Sequence, residues 1–251
     1  MVYHKNKQVY QSYFLSILMP NLILYILFFS FCYNYDSDSL YKFEMLYNKE
    51  VEWANSYIDS NYELINNTFK KNNIETSLGL SIIFPEIVRY NYLKDQIEIT
   101  LNRVFYVNGG PNYSDLSIGV FQMKPSFIER LSNSKKLDQY DFLFNFKDIS
   151  DESKRKIIIN RLQDLEWQLL YLCYFINLIS EKIDFSNISF NEKVKYLATA
   201  YNSGSWYNKK VNKKYSITKS YPYGPESNKI NQYSYSDISL YYHSKFNKKN
   251  D

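Results

Sequence analysis

The chain has 251 residues, enough for one well-packed domain plus an N-terminal segment, and its formal net charge of +4 is mildly basic, compatible with an anionic polymer. Only six Gly and six Pro are present, which argues for long helices over a turn-rich β fold. His4, His243, Cys32 and Cys173 are too few and too scattered for a disulfide framework, a metal motif or a Cys–His nucleophile, and no Gly-rich phosphate loop occurs. No cofactor and no nucleic-acid partner is expected. Aromatic residues make up 19%, with 27 Tyr, but Lys, Asn, Ile and Phe are abundant alongside them, which points to coding bias more than to a dedicated aromatic surface.

Residues 1–35 read as an export signal or membrane anchor. Lys5 and Lys7 precede a largely apolar stretch, Phe14 to Phe31, and Asp36 and Asp38 follow it. Pro20 and Asn21 interrupt the run and argue against a permanent span. Cys32 closes the segment in FSFC, where a lipidated cysteine would stand. Lipoprotein, cleaved secreted protein and uncleaved anchor are the three fates that fit. Residues 36–75 follow as an N-terminal helical region. Leu40, Phe43, Tyr47, Val51, Ala54, Ile58, Tyr62, Ile65 and Phe69 recur in steps of three and four, which predicts one long amphipathic helix, or two with a kink, packed on the main domain.

That domain is expected over residues 76–246. Leu80 to Tyr90, LSIIFPEIVRY, carries Leu80, Ile83, Ile87 and Tyr90 at helical spacing. Glu86 there has Ile82 and Ile83 one turn before it and Tyr90 one turn after it. Two readings are open. Desolvation among these neighbours would raise its pKa, as a general acid near neutral pH requires. Alternatively, Glu86 is a surface residue paired with Arg89 at i+3, or an acidic residue behind Pro85 in a first helical turn.

Asp95 to Tyr106 predicts a helix carrying Ile97, Leu101 and Val104, and Asn108-Gly109-Gly110-Pro111 breaks it. A loop with Tyr113, Asp115 and Ser117 leads into SIGVFQM, Ser117 to Met123, and a helix is expected over Phe121 to Leu131 with Pro125 in its first turn. Asn133 to Ile149 is a polar and aromatic stretch without a clear period. Ile158, Leu162, Leu165, Leu169, Leu172, Ile176, Ile179 and Ile183 alternate steps of four and three and predict a central core helix, with Cys173 a small core residue beside the stripe. Ser189 and Glu192 form a capping box that opens a helix from Phe190 to Tyr201. AYNSG, Ala200 to Gly204, ends it with Gly204 as a left-handed cap. Tyr235 to Phe246 reads as the last helix, and 247–251 as a polar tail.

Glu86, SIGVFQM and AYNSG together resemble the soluble lytic transglycosylases and goose-type lysozymes. In that family a helical Glu is followed by a G-L-M-Q-like turn and then by an A-Y-N-A-G segment. The order and rough spacing match from Glu86 to Gly204. AYNSG is close, whereas Gly119–Gln122 matches only at its ends. Ile87 stands where the family usually has Ser, and Leu116-Ser117 replace the usual Gly-Ala, so the chain is similar to a divergent branch.

The resemblance implies a mostly α, lysozyme-like single domain behind the export or anchor segment, in an exported bacterial envelope protein, periplasmic or membrane-attached. It implies a peptidoglycan lytic transglycosylase that cleaves the β-1,4 bond between N-acetylmuramic acid and N-acetylglucosamine and leaves a 1,6-anhydro end. Glu86 would act as acid and then as base. Ser117, Gln122, Met123, Tyr201, Asn202 and a late tyrosine, Tyr235 or Tyr233, would contact substrate. Two alternatives stand beside it. One is a muramidase in which Asp115 positions water, against the reading of Asp115 as a turn or helix cap. The other is a peptidoglycan-binding protein on the same fold without catalysis.

Overall fold

The computed structural model describes residues 42–134, 137–222 and 232–250. The export or anchor reading of residues 1–35, the lipidation site at Cys32 and the first residues of the 36–75 region lie outside these. From Lys49 onward the chain forms one compact unit, while residues up to Asn48 group separately. The compact unit is mostly helical. Among the described residues no helix is long and apolar enough to cross a membrane.

Residues 42–46 are helical ahead of a turn at Tyr47, and from Asn48 onward the N-terminal amphipathic pattern forms two helices, α1 (Asn48–Ser60) and α2 (Tyr62–Lys71). The break falls at Asn61, whose side-chain amide donates to Tyr57 O at 2.8 Å. The Asn61 backbone leaves the helical region there, at φ −111° and ψ 9°, and such local side-chain bonding competes with the helical ladder. Helix α1 buries Val51, Ala54 and Ile58, and α2 buries Ile65, Thr68 and Phe69.

Helix α3 (Thr76–Arg89) is the axis of the unit, and every residue from Thr76 to Val88 is buried. A helix apolar on all sides must be surrounded. Helices α2, α7 (Leu165–Lys182), α8 (Phe190–Ser203) and α10 (Tyr235–Asn250) surround it. Helix α10 runs four residues past the expected end at Phe246.

Two expectations are corrected. The repeat from Ile158 to Ile183 is not one helix. It is α6 (Asp151–Leu162) followed by α7. Asp164 explains the break: its carboxylate accepts from Glu166 N at 2.8 Å and Trp167 N at 3.2 Å, a strong N-cap placed inside the hydrophobic repeat. Helix α7 is the more deeply buried of the two, with Leu169 and the unbroken run Tyr171–Ile176 buried, while α6 contributes Ile158, Ile159 and Leu162. Its Cys173 is a buried free thiol.

The second correction concerns the helix over Asp95–Tyr106. It starts at Tyr92 as α4 (Tyr92–Leu101) and continues through a π-helical turn, Asn102–Tyr106. Its buried face carries Asp95, Ile99, Asn102 and Tyr106, while Ile97, Leu101 and Val104 face outward. The reason lies in the loop beneath it. Asn102 Nδ2 donates to Leu116 O at 2.7 Å, and its Oδ1 accepts from Ser114 Oγ at 2.6 Å and from Leu116 N at 3.2 Å. Asp95 Oδ1 accepts from Gly119 N at 2.8 Å. The inward backbone groups of this half-buried loop need partners, and the helix supplies them with its polar face.

The capping box at Ser189 and Glu192 is formed, and Gly204 closes α8 at φ 69°, as the sequence predicts. Between α8 and α10 lie α9 (Lys209–Ser216) and a two-stranded antiparallel ribbon. In it β1 (Lys219–Tyr221) pairs with β2 (Tyr233–Ser234), Lys219 opposite Ser234 and Tyr221 opposite Tyr233.

Candidate active site

Glu86 sits in the last turn of α3 with 3% of its surface exposed. Pro85 precedes it inside the helix and removes the backbone donor that would have bonded one turn back. Two tyrosines from the C-terminal third hold this stretch. Tyr221 OH donates to Pro85 O at 2.9 Å, and Tyr235 OH donates to Ile82 O at 2.9 Å. The backbone just before Glu86 is therefore gripped at two carbonyls by phenols that are themselves buried.

The two sequence readings of Glu86 turn out to be compatible. It is buried, and it is also paired with Arg89, whose Nε–H donates to Glu86 Oε2. Arg89 keeps about a third of its side chain exposed (35%). Burial raises the Glu86 pKa above the ordinary carboxylate range. The charge and hydrogen bond of Arg89 and the neighbouring Tyr235 phenol oppose that rise without cancelling it.

The SIGVFQM stretch is a tight turn. Ile118 and Met123 exchange both backbone hydrogen bonds, at 2.9 and 3.1 Å. Gly119 has φ 73°, and a Cβ there would come 1.8 Å from Gln168 Nε2 and 2.5 Å from Leu162 O. Only glycine fits. Gln168, buried on α7, fixes the turn from behind: it accepts from Phe121 N at 2.8 Å and donates to Leu162 O at 2.6 Å. Gln122 sits in the left-handed region at φ 49°, and its side-chain amide donates to Gly119 O at 2.9 Å. Tyr201, from AYNSG on α8, donates its hydroxyl to Phe121 O at 2.6 Å. The two motifs, far apart in sequence, are thus joined by a direct hydrogen bond.

These elements enclose a groove lined by Glu86, Asp115, Ser117, Gln122, Met123, Tyr201 and Asn202, the residues singled out above for the reaction chemistry, apart from Tyr235. Its volume is about 280 Å³. A second hollow of about 300 Å³ shares Arg89, Asn202 and Ser203 with it and holds Tyr235, Tyr221 and Tyr215. Tyr235 therefore lies in the continuation of the groove. Tyr233 is buried in the ribbon and lines neither hollow.

Some side chains are more occupied than their sequence motifs suggest. The Met123 backbone N–H and C=O both bond Ile118, and its side chain is left to line the groove. Asp115 accepts from Ser126 N at 2.9 Å and Ser126 Oγ at 2.6 Å, so it caps helix α5 (Pro125–Ser132) from across the groove. Lys124 Nζ lies 4.0 Å from it. The capping reading of Asp115 describes this geometry. Gln122 likewise closes its own turn.

Other groove residues carry no local sequence signal. Arg130 lies over the Trp206 ring at 3.8 Å and donates to Gly204 O at 2.7 Å. Trp206 is buried against Phe127 and Phe175. Arg89, Lys124 and Arg130 give the groove three cations against the carboxylates of Glu86 and Asp115. Among the described residues no group of three or more His, Cys, Asp or Glu is placed to hold a metal ion.

Comparison of the chain with protein-family models, with curated proteins and with solved structures gives no match.

Proposed function

We propose that the groove is the active site of a peptidoglycan lytic transglycosylase on a lysozyme-like domain, with Glu86 as the group that both gives and takes the proton. The observation that carries this reading is a buried Glu86 with a raised pKa, opening into one groove with Gln122, Tyr201 and Asn202. The three cations beside it suit a glycan bearing carboxylates.

In the first half-reaction Glu86 donates its proton to the glycosidic oxygen as the C1–O bond of the muramic sugar breaks. Positive charge at C1 is shared with the sugar's own acetamido group. In the second half the C6 hydroxyl attacks C1, and the Glu86 carboxylate takes that hydroxyl's proton. The 1,6-anhydro ring closes and no water is consumed. Acid and base in turn is the ordinary logic of microscopic reversibility. The surroundings of Glu86 suit both duties. Burial favours the acid, while Arg89 and Tyr235 favour the carboxylate, so neither form is far out of reach. Tyr201 lies beside the carboxyl and keeps its hydroxyl fixed on Phe121 O.

Hydrolysis with Asp115 positioning water is the second reading, because Asp115 lines the same groove. Transglycosylation is favoured because both Asp115 oxygens are engaged with Ser126. An envelope location with export or membrane attachment through the N-terminus follows from the substrate. Digestion of purified peptidoglycan followed by mass spectrometry is the test. Anhydro ends support the proposal, reducing ends support the muramidase, and absence of products leaves a wall-binding protein.

A further inference from the structure

The outward side of α4 and its π turn carries an apolar stripe bordered by the exposed polar residues Gln96, Thr100 and Arg103. Tyr92, Leu93, Ile97, Leu101, Val104 and Phe105 are all exposed, Leu93 by 73% and Ile97 by 62%. Leu93, Ile97 and Leu101 follow the i+4 row of the helix, and Val104 and Phe105 extend it through the π turn. Scattered exposed apolar residues are ordinary, but a contiguous stripe of five, Leu93 to Phe105, marks a contact surface.

The charges on this helix are sorted. Its carboxylates face inward or are paired: Asp95 is buried on Gly119 N, and Glu98 is mostly buried with Lys94 Nζ at 3.5 Å. The charges on the exposed side are Lys94, whose partner is Glu98, and Arg103, which donates to Gln163 Oε1 at 3.3 Å. An apolar stripe with aromatic residues and cationic flanks is the pattern of a helix lying in a membrane interface. A second copy of the chain fits poorly, because a two-fold contact through this stripe would set Lys94 and Arg103 of one copy against the same cations of the other.

The same chain carries the apolar stretch Phe14 to Phe31. Where that stretch is retained as an anchor, one of the three fates read for it above, the chain meets the membrane surface at high effective concentration, so a modest affinity of the helix face suffices. We propose that the stripe Leu93–Phe105 docks on a bilayer surface bearing anionic headgroups, where lipid covers the apolar residues and Lys94 and Arg103 meet the phosphates. This goes beyond the chemistry proposed for Glu86 and does not depend on it.

The test uses the full chain with Cys32→Ser and Ile97→Cys, labelled at residue 97 with a polarity-sensitive fluorophore. The buried Cys173 stays unlabelled. The protein is placed in nanodiscs of phosphatidylglycerol and phosphatidylethanolamine, one chain per disc. The label is expected to shift to the blue and to be quenched by lipids with a spin label near the headgroup. An identical label at Ile217→Cys, an exposed apolar site on another element (76%), is expected to stay aqueous. Adding Leu93→Glu and Leu101→Glu should reduce the lipid quenching at residue 97 several-fold while circular dichroism is unchanged. A label at residue 97 as aqueous and unquenched as the one at 217 would overturn the proposal.

Discussion

Arg89 donates from Nε to Glu86 Oε2 one turn earlier on the same helix, so the candidate acid is held as an ion pair inside the protein. Burial outweighs that pairing in the free groove, and the carboxyl pKa stays above its ordinary value. Removing the cation should therefore raise it further. Arg89→Met is expected to move the alkaline limb of the kcat/KM profile to higher pH, because the acid form then persists longer. The measurement is the pH dependence of anhydro-product formation. A limb that stays in place would mean that Arg89 does not govern this proton.

Glu86 itself should couple activity inversely to stability. Its folded pKa is raised, so the stability it contributes is complete below the unfolded value near 4.5 and is lost as pH rises through the folded value. Glu86→Gln removes that loss. The variant should melt higher than the parent at neutral pH, and the difference should shrink toward pH 4. Turnover should fall on the order of a hundredfold to ten-thousandfold. Wild-type cleavage by a folded Glu86→Gln protein would end the mechanism.

The tyrosine clamps can be separated from the chemistry. Tyr221→Phe removes only the hydroxyl that bonds Pro85 O. A lost buried hydrogen bond of this kind leaves a carbonyl unsatisfied and costs about 1–3 kcal/mol. Tyr235→Phe loses the bond to Ile82 O and also the phenol beside Glu86 that favours its carboxylate form. Equal losses of melting temperature with a larger loss of turnover in Tyr235→Phe are expected. Equal losses of turnover would assign both tyrosines to positioning alone.

Gly119→Ala should be among the most damaging conservative changes. The new Cβ would meet a backbone carbonyl, Leu162 O, as well as Gln168, and φ is positive. A strained conformation of this sort costs of order 1–3 kcal/mol before any clash. Differential scanning fluorimetry reads it directly. A neutral result would mean that the turn and the end of α6 can separate freely.

How far the sequence reaches can be seen residue by residue. Glu86 on a buried helix, the capping box at Ser189 and the left-handed Gly204 are local patterns, and each is found where local physics puts it. Asp164 shows the opposite case. A hydrophobic repeat running through it hides a side-chain cap that ends one helix and starts another. Helix α4 shows a second limit: apolar periodicity marks a face but does not say which way it points, and here the loop's need for Asp95 and Asn102 decides. Arg130 and Trp206 reach the groove through tertiary packing alone, so no spacing announces them. Gln168 belongs with them. It reads as one more residue of a core helix, yet it supports the turn that carries Gln122.

Asp115 separates the two reactions that the groove could run. Its oxygens bond Ser126 N and Ser126 Oγ, at the N-terminal end of α5. Asp115→Asn keeps an acceptor for the backbone N–H and loses a charge, so it should cost about 1 kcal/mol or less of stability, in the range of a weakened cap. Ser126→Ala should cost a similar amount while leaving the Asp115 charge in place. If the reaction is a transglycosylation, both variants should keep turnover within a few-fold of the parent and still produce anhydro ends. If Asp115 positions water, Asp115→Asn alone should lose a hundredfold or more, with reducing ends as the residual product. The comparison is informative because the two substitutions disturb one cap equally and differ only in the carboxylate. Digestion of the same peptidoglycan by the three proteins, read by mass spectrometry of the chain ends, decides between them.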